Sequence, residues 1–297
     1  MYKIIRIINN EILFMRGLKK SLFTRIKNNR SGHFINTYWW KDDELSIHNF
    51  GDEASKDIIC GIFGYELSWR PLWECDLIAI GSLLESAELN CDNNKIFVWG
   101  SGYIEDGEKC SKKNFSFRAV RGKATLDRVK SIAKTNQIPM GDPGLLINLV
   151  YPASKKDGKI GIVPHYVDLN NKIITTLKKD SRFKIISPLQ SPKEVAEQIS
   201  GCSMILSSSL HGMIFADSYD IPNAHLSLSK KVIGGDYKFK DYCSGVGREY
   251  IAICKKTLLD IDALNDALKE YKPIKNKPKI QRKLIKAFPY KELTLSR

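Results

Sequence analysis

The stretch 202–227, CSMILSSSLHGMIFADSYDIPNAHLS, concentrates the residues best able to do chemistry. A short apolar run at 204–206 leads into Ser207, Ser208 and Ser209; Leu210, His211 and Gly212 then open a second apolar run. This pattern predicts a strand turning into a helix. A helix N-terminus presents unpaired N–H groups and the positive end of its dipole, so the turn is a cradle for a small anion. His211 in that cradle can move protons near neutral pH. Its bland alternative is a buried histidine bonded to a serine. The chemistry indicated is that of an enzyme acting on a small phosphate or carboxylate compound.

Other candidates recur at similar junctions. In NFGD (49–52), Asn49 and Gly51 suit a turn, and Asp52 sits where a helix N-terminus favours a carboxylate. Capping alone is the stronger reading of that motif by itself. Gly81-Ser82 and Gly100-Ser101-Gly102 each follow an apolar strand, where glycine lets backbone approach a ligand. Neither is a G-x-G-x-x-G or a Walker loop. Arg118, Arg121 and Lys123 lie at a strand-to-helix junction, and arginine grips phosphate or carboxylate bidentately. Asp142, in GDPGLL, could orient a basic partner or a sugar hydroxyl, although a turn cap is the simpler reading. His165 ends the run GIVPH at the border of an expected cleft. Of Lys230, Lys231, Lys238 and Lys240, one is expected to point into that cleft.

The elements that must position these residues alternate. Strands are expected at 33–40, 76–80, 95–98, 115–120, 160–163, 183–187 and 204–206, and helices at 51–63, 123–135, 169–179, 193–200 and from 210. Short apolar runs bounded by turn residues read as buried parallel strands joined by right-handed crossovers. The polar stretch 151–159 makes a linker. The predicted fold is therefore α/β, with two Rossmann-like parallel-sheet domains facing across a cleft. Their bounds are 33–150 and 151–270, flanked by a basic amphipathic segment (1–32) and a basic tail (271–297). Ligands of such sheets sit beyond the carboxyl ends of the strands. No internal repeat is evident.

Composition narrows the class. The chain has 297 residues, 43% hydrophobic and 27% charged, which suits a globular protein rather than a disordered one. The net charge of +14 is concentrated at the ends, leaving a nearly neutral body. A nucleic-acid enzyme would need a basic groove in that body, so nucleic acid is not an expected partner. Basic ends with interleaved apolar residues, such as Ile280, Leu284 and Phe288, suit either an anionic membrane surface or helices docked on the body. No apolar run approaches the ~18 residues of a membrane span, and no secretory signal is evident. Seven cysteines without a C-x-x-C pair read as reduced thiols rather than a zinc site. The expected location is cytoplasmic, peripheral at the inner face of the cell membrane.

Together the motifs resemble the polysaccharide pyruvyl transferase family. The matching stretches are NFGDE (49–53), DLIAIGSLL (76–84), VWGSGY (98–103), RAVRGKATLD (118–127), GDPGLL (141–146), GIVPHYVD (161–168), SSSLHGMIFADSYDIPNAHL (207–226) and KFKDY (238–242). The resemblance implies a fold similar to the GT-B glycosyltransferases and transfer of a pyruvyl group from phosphoenolpyruvate to two sugar hydroxyls, without metal or other cofactor. It implies that His211 is the catalytic histidine and Arg121 a donor-binding arginine; read with the residues above, the expected site adds Asp52 as a second catalytic group. Arg121, Arg118, Ser208, Ser209, Leu210 and Lys238 would bind the donor. Asn49, His165, Asp142, Gly100 and Ser101 would face the acceptor. Many family members carry arginine where this chain has Ser209, so Lys238, Arg121 or Arg118 would supply that charge. The basic ends extend the expectation to a polyprenyl-diphosphate-linked acceptor. Two other readings stand beside it: a glycosyltransferase of the same architecture using a nucleotide sugar, and a non-catalytic module binding through its ends.

Overall fold

A computed structural model of the chain describes residues 34–42, 48–91, 94–133, 137–269 and 271–295. The N-terminal basic segment expected at 1–32 lies outside these residues. Strands β1 (Phe34–Tyr38), β2 (Glu66–Trp69), β3 (Leu77–Ile78), β4 (Ile96–Trp99) and β5 (Phe115–Ala119) form one sheet in the order β2-β1-β3-β4-β5. Strands β6 (Ile160–Val163), β7 (Phe183–Ile185), β8 (Met204–Ser207), β9 (Asn223–Leu226) and β10 (Ala252–Ile253) form a second, in the order β10-β9-β8-β6-β7. All these pairings are parallel. The α/β class and the two facing parallel sheets are as the alternating pattern predicts.

Read from β7, the second sheet repeats the strand order of the first. In each, the first strand of the set lies between the second and the third, so the order reverses beside it: between β1 and β3 in one sheet, between β6 and β8 in the other. Such switch points open crevices at the strands' carboxyl ends. The repeat is one of topology, which residue identity does not display.

The helices are α1 (Phe50–Phe63), α2 (Leu84–Asn90), α3 (Lys123–Val129), α4 (Ile147–Val150), α5 (Lys172–Leu177), α6 (Pro192–Gly201), α7 (Leu210–Ser218), α8 (Tyr237–Val246), α9 (Lys255–Leu259), α10 (Ile261–Leu268), α11 (Lys277–Ala287) and α12 (Tyr290–Leu295). The helix expected over 123–135 stops at Val129, after which Ile132 and Ala133 bond back to the Val129 carbonyl. The one expected over 169–179 begins only at Lys172, because Asn171 caps it by accepting from the Ile173 N–H at 3.2 Å.

Helix α7 is buried along its whole length, as an all-round apolar helix must be. One continuous core runs through both halves, joining Phe50 and Ile58 of α1, Trp99 of β4, Val163 of β6 and Phe215 of α7. Of the two readings of the C-terminal apolar stripe, helices docked on the body is the one the structure shows for Leu284 and Phe288. Leu284 and Phe288 are buried, Phe288 stacks on Phe63 at 4.0 Å, and the Trp99 indole donates to the Leu284 carbonyl at 2.9 Å. Helix α11 thus turns its apolar face into the body, because burying it against aromatic rings removes that area from water.

Candidate active site

A cleft of about 250 Å³ opens where the two switch points meet. From the first sheet come Tyr38 and Trp40 after β1, Ser82 and Leu83 after β3, and Asn49 and Asp52 at the start of α1. From the second come His165 and Tyr166 after β6, and Ser209, Leu210 and His211 at the start of α7. Lys231 reaches in from the segment leading to α8, and Lys238 from the first turn of α8. Of the residues expected from sequence, the cleft gathers His211, Asp52, Ser209, Leu210, Lys238, Asn49 and His165.

Two helix N-termini meet there. Asn49 caps α1, its side chain accepting from the Gly51 N–H at 3.0 Å, so the capping reading holds for it while it also lines the cleft. Gly51 lies directly against the His211 ring; a Cβ at that position would fall on Nδ1. Only glycine allows the two helix starts to touch this closely. Ser209 caps α7 without a side-chain bond of its own. Ser207 shapes the turn instead: its hydroxyl oxygen accepts from the Ser209 N–H at 3.1 Å and lies 2.8 Å from the Val163 carbonyl.

Burial moves the titratable groups toward their neutral forms. Desolvation, aided by the nearby Lys238 and Arg121 cations, lowers His211 to about 3. Desolvation and Lys238 lower His165 to about 4. The Asp52 carboxyl is raised to about 8 by desolvation, against the pull of Lys238. Lys238 is lowered to about 8 by burial and by Arg121. At neutral pH the cleft therefore offers a neutral imidazole beside a carboxyl that keeps its proton.

The remaining expected residues stand behind this lining or away from it. Arg121 is corrected: it is wholly buried and does not open into the cleft. Its guanidinium donates to Asp241 at 3.0 Å, to the Ser82 hydroxyl at 2.7 Å and to the Tyr103 carbonyl. Asp241 reaches it because Gly122 lets α8 come within backbone contact; a Cβ there would strike the Asp241 carbonyl. Arg118 is corrected more fully. It pairs with Glu292 at 2.6 Å and lies over the Phe97 ring, in a separate hollow bordered by the C-terminal segment. Ser208 faces the protein, accepting from the His165 N–H at 2.8 Å. Ser101 donates to the Gly81 carbonyl at 2.8 Å and so braces the turn carrying Ser82. Gly100 turns the chain after β4 with φ 88°, against the Pro143 ring. Asp142 is fully buried behind His211, its Oδ2 3.9 Å from the histidine Nε2.

Sequence reasoning missed an aromatic wall. Trp40 and Tyr166, one from each half, stack at 5.5 Å with an interplanar angle of 17°. Tyr38 joins them along the cleft. Both residues of the stack follow the carboxyl ends of central strands, the same signal that marks His165. Asp241 was also not singled out, although it lies within the KFKDY stretch.

The fold and the cleft define a two-sheet α/β protein with a polar cleft between its halves. The sequence profile of the polysaccharide pyruvyl transferase family matches residues 3–230, and the chain belongs to that family. Lys238 and Asp241 fall beyond the matched residues. Among curated proteins, the chain is similar to uncharacterized protein L143 of Acanthamoeba polyphaga mimivirus, 32% identical over 63% of this chain and 66% of the other. It is also similar to the succinoglycan biosynthesis protein ExoV of Rhizobium meliloti, 25% identical over 72% of this chain and 65% of the other. The chain thus spans just under two thirds of the length of these relatives. Among solved structures, an uncharacterized protein of Klebsiella pneumoniae aligns with 76% of this chain and 93% of its own, at 11% identity and a TM-score of 0.44.

Proposed function

We propose that the chain transfers a pyruvyl group from phosphoenolpyruvate to two hydroxyls of a sugar, forming a cyclic ketal on a polysaccharide precursor and releasing phosphate. The observation that carries this reading is the convergence of His211, Asp52 and Lys238 on one cleft bordered by two helix N-termini. Family membership supports the reaction class, and the named role of ExoV supports a polysaccharide as the acceptor.

In this reading the sugar hydroxyl adds to C2 of the enol phosphate while C3 takes a proton. A second hydroxyl on the same sugar then displaces phosphate from C2, and atoms balance without water. His211, neutral in the cleft, accepts the hydroxyl proton, and Asp52, which keeps its proton near neutral pH, delivers one to C3. Lys238 and the N–H groups opening α7 hold the phosphate as charge builds on it. Lys238 thereby supplies the cation absent at Ser209. Trp40 and Tyr166 offer apolar ring surface for the sugar, with Tyr38 beside them. No metal is invoked. Among the described residues no cluster of His, Cys, Asp and Glu suits a metal ion, and the assignment rests on the groups present.

A lipid-linked acceptor, carried on a polyprenyl diphosphate at the inner face of the cell membrane, extends the proposal. Its support is the exposed Lys279, Lys283 and Lys286 on α11, at helical spacing opposite the buried stripe. No helix among the described residues is long and apolar enough to cross a membrane.

The test incubates the protein with phosphoenolpyruvate and lipid-linked or free oligosaccharides. Release of inorganic phosphate, with an acceptor mass gain of one pyruvate less one water, is the expected result. Thermal stabilisation by a nucleotide sugar and not by phosphoenolpyruvate would sink the reading and favour a glycosyltransferase.

A further inference from the structure

Behind His211 lie two buried polar atoms without hydrogen-bond partners: Nε2 of the histidine and Oδ2 of Asp142. They are 3.9 Å apart. Two hydrogen bonds through a bridging water would span roughly 4.5 Å, so the gap is too short to hold one. It is also too long for a finished bond. Both groups are nearly or wholly out of solvent, and a buried polar atom left alone is costly. Such contacts commonly close only when substrate is bound.

Local structure aims the carboxylate. Asp142 begins the short 3-10 turn Pro143–Leu146, and its Oδ1 accepts from the Gly144 N–H at 2.8 Å. That bond fixes one oxygen and turns the other inward. The turn is seated on α7: Gly144 meets Ile214, which lies one helical turn beyond His211. On the opposite side of the imidazole, Nδ1 lies over Gly51 at the start of α1, and the residue borders the cleft. One ring nitrogen therefore faces the Asp142 carboxyl, and the other lies on the Gly51 side of a ring that borders the cleft.

We infer that Asp142 is a positioning residue for His211: its Oδ2 accepts from Nε2–H, fixing the tautomer that leaves Nδ1 unprotonated and directed at the sugar hydroxyl. The catalytic consequence rests on the pyruvyl-transfer reading above; the tautomer does not. The neutral ring then acts as base through Nδ1, and the imidazolium it becomes is stabilised by the carboxylate behind it.

The experiment records long-range ¹H–¹⁵N spectra of the histidine side chains in the full chain at about pH 8.5, above the value of about 7 to which burial raises the Asp142 carboxyl, with His211 assigned by its absence in His211→Leu. The expected spectrum of the unaltered protein is that of the Nε2–H tautomer; an Nδ1–H signature overturns the inference, whatever any variant does. Asp142→Asn keeps the acceptor for Gly144 but presents an amide N–H₂ to Nε2. It is expected to switch His211 to the Nδ1–H tautomer and to lower kcat by about 100-fold or more, with KM for phosphoenolpyruvate changed less than about threefold. Loss of turnover without the tautomer switch reduces Asp142 to a turn cap and overturns the assignment. If no acceptor is pyruvylated by the unaltered protein, the functional reading fails, while the spectra still decide the pairing.

Discussion

The two ends of α7 treat buried polar groups in opposite ways. At its C-terminal end, Asp217 is fully committed. Its carboxylate accepts from Asn223 at 2.7 Å, Tyr242 at 2.8 Å and Tyr271 at 3.1 Å, and it pairs with Arg248 at 3.0 Å. Lys277 of α11 caps the same end by donating to the Ser218 carbonyl at 2.8 Å. At the N-terminal end, one turn and a half away, His211 and Asp142 stand close with atoms unpaired. A single helix thus carries at one end a carboxylate held by several partners, although Arg248 Nε meets it only as an ion pair, and meets at the other a carboxylate whose second oxygen has no hydrogen bond. Native structures rarely leave such groups alone, and here the cleft beside His211 is what marks the N-terminal end as the site.

Breaking each end should have different consequences. Asp217→Ala leaves Arg248 buried without its charge partner, and about 3–5 kcal/mol of stability should be lost in denaturant unfolding. His211→Leu should shift that unfolding little, while pyruvyl transfer falls by about 10²–10⁴-fold. Equal destabilisation by both variants would erase the distinction, because His211 would then be as structural as Asp217.

How far sequence exposes this contrast depends on range. The alternating apolar runs reveal β4, β6 and β8 because a strand buried on both faces needs no partner to look like one. Edge strand β2 is half exposed along most of its length and lacks such a run, so it goes unread. The cradle at Ser207 to His211 is legible because strand, serines and helix start are contiguous. The burial of Arg121 is not: its partner Asp241 is 120 residues away. Arg118 likewise finds Glu292 only through the return of the C-terminal segment. An aromatic after a strand, such as Trp40 or Tyr166, reads as core until the second sheet brings the two together.

Within the cleft, effects should fall with distance from the reacting atoms. Lys238→Met removes a charge-assisted contact worth about 1.5–3 kcal/mol, so KM for phosphoenolpyruvate should rise about 10–100-fold. An unchanged KM would move the anion site elsewhere. Trp40→Ala should instead raise KM for the acceptor, by about 2–10-fold, the scale of an aromatic contact. A change in donor KM alone would show that the aromatic wall does not meet the sugar.

The smallest effect tests whether the N-terminal end is strained as the contrast requires. Burial raises the Asp52 carboxyl from its model-compound value of 3.8 to about 8. Between those values the folded state holds a proton that the unfolded chain has released. Stability must therefore decline as pH rises through that window. Each pH unit over which the difference holds is worth about 1.4 kcal/mol. Asp52→Asn, which cannot titrate, should lose less stability than the unaltered protein between pH 4.5 and 7, by at least about 1 kcal/mol. Parallel unfolding profiles for the two proteins would mean that Asp52 ionises freely in the cleft. It could not then be the acid that protonates C3.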